Sequence, residues 1–204
     1  MALINQATKE LQVKIVYYGP ALCGKTTNLQ QVHAHVQAAP ENKGKLVSLA
    51  TSSDRTLFFD FLPVEAMSIK GFRTKFQLYT VPGQVIYNTT RQLVLRGVDG
   101  VVFVADSQYE KMAENVESFA NMEENLRTLK LNLAEIPYVL QYNKRDLPNV
   151  APVEYMEYLL NNREYQVPTF TASAHQCEGV FETLNMITRL LLHKFINEGS
   201  RKLA

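Results

Sequence analysis

The run Gly19-Pro20-Ala21-Leu22-Cys23-Gly24-Lys25-Thr26 leaves this chain few ways to fold. It has the spacing G-x-x-x-x-G-K-S/T, and it lies between an apolar run, Val13-Lys14-Ile15-Val16-Tyr17-Tyr18, and a helical pattern over residues 25–38. Such a loop works only in that setting. The strand delivers it to a sheet rim, and the helix N-terminus turns unpaired amides toward anionic oxygens. Glycines allow the backbone to approach the phosphates closely. Lys25 can reach β- and γ-phosphates, and the Thr26 hydroxyl can meet Mg²⁺. The residues expected around the phosphates are Gly19, Ala21, Leu22, Cys23, Gly24, Lys25, Thr26 and Thr27. Cys23 reads as a small packing residue; a thiol in this loop can also be redox-sensitive.

Apolar strand-like runs alternate with helical patterns along the rest of the chain, which predicts βαβ units and a mostly parallel sheet flanked by helices. Breakers over residues 39–44 predict a loop. Strands are expected at 57–62 and 72–79, joined as a hairpin through residues 63–71. Further strands are expected at 101–105, 137–142 and 167–172, and helices at 113–133, 153–160 and 181–195. The run Val101-Val102-Phe103-Val104-Ala105 is wholly apolar, as a central buried strand would be. Residues 197–204 read as a loose tail. With 204 residues the chain suits one α/β domain, residues 1–204.

The phosphate loop does not choose a nucleotide, because kinases and ATPases share it. Asn143-Lys144-Arg145-Asp146, after an apolar strand, makes the choice. A carboxylate at Asp146 can accept from guanine N1–H and the exocyclic amine together, a donor pair that adenine lacks. Asn143 is expected near O6 and N7 and as a tie between loops, with the Lys144 stem along the base. Thr171-Ala172-Ser173-Ala174, at the end of the last strand, reads as the third wall of the base pocket, its amides (those of Ser173 and Ala174 among them) toward O6, or as a plain strand-end turn.

Thr80-Val81-Pro82-Gly83-Gln84 follows another strand. A γ-phosphate sensor needs a glycine amide at the phosphate and a glutamine that orients water, and Gly83 and Gln84 fit. Thr56 is a candidate Mg²⁺ ligand alongside Thr26. Arg55 is a candidate transition-state cation, a contribution of about 10³ to 10⁵ in rate where one is used. The other reading of Arg55 is a solvated surface residue.

A formal net charge of +1 gives no global field for nucleic acid or an anionic membrane. Two cysteines do not make a secreted disulfide framework. No signal-peptide pattern, terminal prenylation cysteine or myristoylation glycine is seen, so a cytoplasmic protein without its own membrane anchor is expected.

Taken together, these residues resemble the Ras-like small GTPase superfamily, and more narrowly the bacterial gliding-motility GTPases of the MglA family. The likeness runs through residues 14–20, 22–29, 54–63, 78–84, 97–107 and 141–148. It implies a P-loop NTPase fold, GTP/GDP and Mg²⁺ as ligands, and a polarity switch recruited with motility effectors to a cell pole. It also implies a monomer activated by a roadblock-fold MglB-like homodimer, which repositions Arg55 and Gln84. Ras-like proteins usually carry Asp where this chain has neutral Thr80, a threonine that the MglA family shares. His175 stands where many of them carry lysine.

The apolar residues Leu57, Phe58, Phe59, Phe61 and Leu62 read as a partner-facing strip, extended by Tyr87 and Arg91, or as an ordinary buried strand. The same motifs also permit a guanine-nucleotide-binding scaffold with negligible hydrolysis. A P-loop kinase fits less well: the base box and Pro82-Gly83-Gln84 argue against it, and no arginine-rich lid segment is seen.

Overall fold

The computed structural model describes residues 3–5, 8–37, 47–50, 56–69 and 72–201. Among these residues eight strands form one sheet: β1 (Leu3–Asn5), β2 (Glu10–Tyr18), β3 (Val47–Ala50), β4 (Thr56–Ile69), β5 (Phe72–Thr80), β6 (Gly100–Asp106), β7 (Tyr138–Asn143) and β8 (Thr169–Thr171). The helices are α1 (Lys25–Gln37), α2 (Asn88–Leu95), α3 (Met112–Thr128), α4 (Val153–Leu160) and α5 (Val180–Arg201). The strand order is β3-β4-β5-β2-β6-β7-β8, with β1 antiparallel to the start of β2.

Strands β5, β2, β6, β7 and β8 are mutually parallel. Their C-terminal ends therefore share one rim. The chain goes from β2 to the β4–β5 side and returns through α2 to β6, so the order reverses at β2. Ligands of open α/β sheets bind at such a reversal.

Side-chain alternation divides the core. Val13, Ile15 and Tyr17 of β2 join Leu29 and Val32 of α1 and Ile187 and Leu191 of α5. Val16 and Tyr18 face the other way, toward Leu95 of α2, Phe119 and Met122 of α3 and Met156 of α4. Every residue of β6 is buried, as expected of a parallel strand covered on both faces.

Several expectations are corrected. Residues 63–69 were expected to be a loop, yet β4 runs unbroken to Ile69, paired with β5 from Phe61↔Tyr79 to Ile69↔Phe72 with one irregularity between Ala66 and Ser68. Pro63 sits in that register opposite Gln77. Pairing with a long neighbour overrides the breaker signal of one proline. Helix α3 stops at Thr128 rather than 133. Lys130 takes a left-handed φ of 59°, Leu131 N–H donates to Leu126 C=O and Lys130 N–H to Arg127 C=O. This is a Schellman stop, made here without the usual glycine. Helix α5 continues to Arg201, so residues 197–201 are helical and not a loose tail. Helix α2 was not anticipated, because its first five residues, Asn88 to Gln92, are polar; Arg91, Val94 and Leu95 bury its inner face.

Candidate functional site

Each of the parallel strands ends in a segment of interest, and parallel alignment brings these segments to one rim. After β2 comes the phosphate loop, after β5 Val81-Pro82-Gly83-Gln84, after β6 Ser107, after β7 Lys144-Arg145-Asp146, and after β8 Ala172-Ser173-Ala174.

Three of the expected glycine contacts are sterically strict. A Cβ on Gly19, at φ +145°, would lie 2.1 Å from the Val104 carbonyl oxygen. One on Gly24, at φ +100°, would lie 2.1 Å from Asn143 Nδ2. One on Gly83 would lie 2.3 Å from Ala21 Cα. The first two glycines hold conformations that L side chains rarely adopt, and the third lets the sensor segment rest on the phosphate loop.

Lys25 is buried at 6% exposure, and its ammonium donates to the carbonyl oxygens of Gly19 (3.0 Å) and Pro20 (2.6 Å). The cation thus lies inside the arch of the loop. Leu22 is left-handed and 63% exposed at the tip, with Ala21 half-buried beside it. Thr26 and Thr27 occupy the first turn of α1, both partly buried.

Cys23 is fully buried, and burial is the main cause that pushes its thiol up from the ordinary range, against the nearby Lys25 cation. A thiol kept protonated reacts slowly. The half-buried Cys177 is therefore expected to be alkylated first in the folded protein, and Cys23 only after unfolding. Mass spectrometry of iodoacetamide-treated protein, with and without denaturant, checks this.

Asn143 is 2% exposed and uses its amide as a brace. Its Nδ2 donates to the Cys23 carbonyl (2.8 Å), and its Oδ1 accepts from the Ala174 amide (2.8 Å). The tie between loops is as expected. The Ala174 amide, expected to face a base, instead donates to Asn143. Lys144 is left-handed at φ 66°, and its ammonium is fixed 2.6 Å from the Asp106 carboxylate, itself 1% exposed. Asp146 stands exposed on the rim. Ser173 is buried, and its amide donates to the Glu178 carbonyl.

Gln84 is half-buried and opens a single helical turn, Val85–Tyr87. With Ala21 and Gly83 it lines an open cleft of about 410 Å³, to which Glu114 and Glu117 of α3 also contribute. Gln84 and the phosphate loop therefore face the same space.

Arg55 lies outside the described residues. Of Thr56 the structure describes the backbone, at the start of β4 opposite Ala50. Of the apolar strip, Leu62 is fully buried, and the side chains of residues 57–61 lie outside the description. Arg91 is fully buried and does not extend a partner surface.

Four residues that bear on the site were missed. Asp106 orients Lys144, and its signal was a carboxylate ending an otherwise apolar strand at the ligand rim. Asn28 and Gln141 exchange reciprocal amide hydrogen bonds of 2.9 and 3.0 Å beneath the loop. Gln141 also donates to Thr183 Oγ1 at 3.0 Å, which ties α1, β7 and α5 together. A glutamine within the apolar strand 138–143 was the visible signal. The fourth, Arg91, holds the sensor segment through the carbonyls of Pro82 and Gly83.

The Ras family profile matches residues 44–193. The chain is 55% identical over 199 residues, 98% of its length and all of the relative's, to the mutual gliding-motility protein MglA of Myxococcus xanthus strain DK1622. It is 27% identical to the Ras-related protein Rab-13 of Rattus norvegicus over 68% of this chain and 66% of that one. Rab-13 of Bos taurus is also 27% identical, over 72% of this chain and 68% of that one.

Proposed function

Because this chain belongs to the Ras family and is therefore a small GTPase, we propose that it is a GTP/GDP switch for cell polarity and gliding motility. In this reading its hydrolysis is stimulated by a roadblock-fold MglB-like homodimer. The observation that supports the switch best is the contact of Gly83 with Ala21, where a Cβ would come within 2.3 Å. It supports the reading in which Gly83 and Gln84 serve a terminal phosphate held by that loop.

The residues act by position and charge. Lys25, already inside the loop, neutralises the phosphates. The Gly83 amide donates to the terminal phosphate, and Gln84 orients the attacking water. Arg55 supplies a cation to the transition state when the partner drives its loop inward. Asp146 reads guanine, while Asn143 and Asp106 fix the loops that carry the reading.

Among the described residues no group of three or more His, Cys, Asp or Glu could hold a metal by itself. The hydroxyls of Thr26 and Thr56 would hold Mg²⁺ beside the phosphate oxygens of a bound nucleotide. The bound ion supplies charge stabilisation on those oxygens. Thr80 is buried and neutral, so it adds no carboxylate to the set.

Among the described residues no helix is long and apolar enough to cross a membrane. We place the protein in the cytoplasm as a single G domain, monomeric alone, with polar recruitment through partners and no nucleic acid involved.

Single-turnover GTP hydrolysis, with and without a purified roadblock homodimer, tests the reading. Gln84→Leu and Arg55→Ala are each expected to lower the stimulated rate by about 10³, the low end for such groups. If both variants are stimulated like the parent, the assigned roles are wrong. If the parent hydrolyses nothing beyond the uncatalysed background with any partner, a binding scaffold replaces the switch.

A further inference from the structure

Arg91 is a fully buried cation. Such a charge is costly to bury, and among the described residues no carboxylate pairs with it. Its donors go to neutral groups. Nε donates to the Pro82 carbonyl at 2.9 Å, and Nη2 to the Gly83 carbonyl at 2.6 Å. Nη1 donates to Asn121 Oδ1 at 2.6 Å and more weakly to the Tyr18 hydroxyl at 3.4 Å. The guanidinium also lies 5.1 Å from the Tyr18 ring centre.

The anchor behind it is a polar knot in an otherwise apolar layer. The Tyr18 hydroxyl donates to Asn121 Oδ1 at 2.7 Å. Asn125 Nδ2 donates to the Tyr18 hydroxyl at 3.0 Å and to Asn88 Oδ1 at 2.7 Å. Tyr18 is the residue immediately before Gly19. One cluster therefore connects the root of the phosphate loop, the start of α2, the middle of α3 and the sensor segment.

What Arg91 holds matters more than how many bonds it makes. No described peptide bond is cis. In a trans peptide the C=O and the next N–H point in opposite directions. Fixing the Pro82 carbonyl on Arg91 therefore turns the Gly83 amide away from Arg91. Fixing the Gly83 carbonyl does the same for the Gln84 amide. The Gly83 Cα meanwhile rests against Ala21 of the phosphate loop.

The geometry points to Arg91 as a positioning residue, which holds two successive carbonyls so that the Gly83 and Gln84 amides are preset for the terminal phosphate. Arg91 thereby contributes to preference for the triphosphate over the diphosphate. This rests on the reading of Gly83 and Gln84 given under the proposed function. A planar guanidinium can span both carbonyls at once, whereas a lysine ammonium is a single point charge that cannot reproduce the fork. Loss of the fork lets the peptides rotate, and the affinity for the triphosphate falls with the fraction still correctly oriented.

The test compares Arg91→Lys and Asn121→Ala with the parent. Affinities for GDP and a non-hydrolysable GTP analogue are measured by fluorescence competition, and single-turnover hydrolysis at saturating GTP is measured alongside. Arg91→Lys is expected to lower the GTP-analogue to GDP affinity ratio about tenfold, or ~1.4 kcal/mol. Its GDP affinity should stay within about twofold of the parent and its hydrolysis rate should fall about tenfold, since a tenfold change in population is one such step. Asn121→Ala, which keeps Arg91 and removes part of its anchor, should shift the ratio in the same direction by about threefold. If Arg91→Lys does not fold, Asn121→Ala decides alone. Equal losses for both nucleotides, or an unchanged ratio, overturn the proposal, because a merely structural residue would behave that way. Gln84→Leu serves as the separating control. Normal hydrolysis by that variant would defeat the assigned role of Gln84, whereas an altered ratio in Arg91→Lys would still stand.

Discussion

The Asp146→Asn variant is expected to lose about 10³ in its preference for guanine over xanthine nucleotides. A carboxylate offers two acceptors, matched to the two donors of guanine, N1–H and the exocyclic amine. The amide keeps the shape but offers one acceptor and one donor. Guanine then meets a donor with a donor, whereas xanthine, with a carbonyl at C2, is matched. Sites that fully bury such a mismatch discriminate by about 10⁴ to 10⁵. Asp146 is exposed on the rim, so water relieves part of the mismatch, and the smaller figure follows. Competition of GDP and XDP for a fluorescent nucleotide measures it. Unchanged GDP affinity in the variant would remove Asp146 from base reading. The fold should be unaffected, since the side chain is exposed and the amide keeps its shape.

Much of the frame was legible because it rests on local rules. The strand–loop–helix around Gly19 to Thr26 was readable from spacing, and the buried centre from five apolar residues in a row at 101–105. Parallel strands then put the loops on a common rim without any knowledge of long-range contacts. What escaped the sequence was set by tertiary partners. Pro63 lies in a strand because β5 offers a register for it. Lys130 ends α3 in a left-handed turn that a glycine would have announced. Arg91 looks like a surface residue of a polar helix, and only the carbonyls of Pro82 and Gly83 explain its burial. The base loop was legible as a motif, but its internal ties were not. That Lys144 is held by Asp106, 38 residues earlier in the chain, follows from the adjacency of β6 and β7.

Asn143→Ala should damage stability and nucleotide binding together. The side chain satisfies a buried carbonyl, that of Cys23, and a buried amide, that of Ala174. Alanine leaves both unpaired, and each buried orphan costs about 1 to 3 kcal/mol, so a loss of about 2 to 6 kcal/mol is expected. For a chain of this length that corresponds to about 4 to 24 °C in melting temperature. Nucleotide affinity should drop by more than about 100-fold, because the phosphate loop and the two base-side loops lose their common brace. A neighbouring glycine makes the argument sharper. A Cβ on Gly24 would collide with Asn143 Nδ2 at 2.1 Å, and the residue also holds φ +100°. In the parent, Gly24→Ala meets both the collision and the backbone strain. In the Asn143→Ala background only the strain remains. The double-mutant cycle should therefore show a favourable coupling of about 1 to 2 kcal/mol between these contacting positions. Thermal melts of the four proteins with and without GDP give the cycle directly. Strict additivity would mean that Asn143 does not press on Gly24, and that the two loops are held together by something other than this amide.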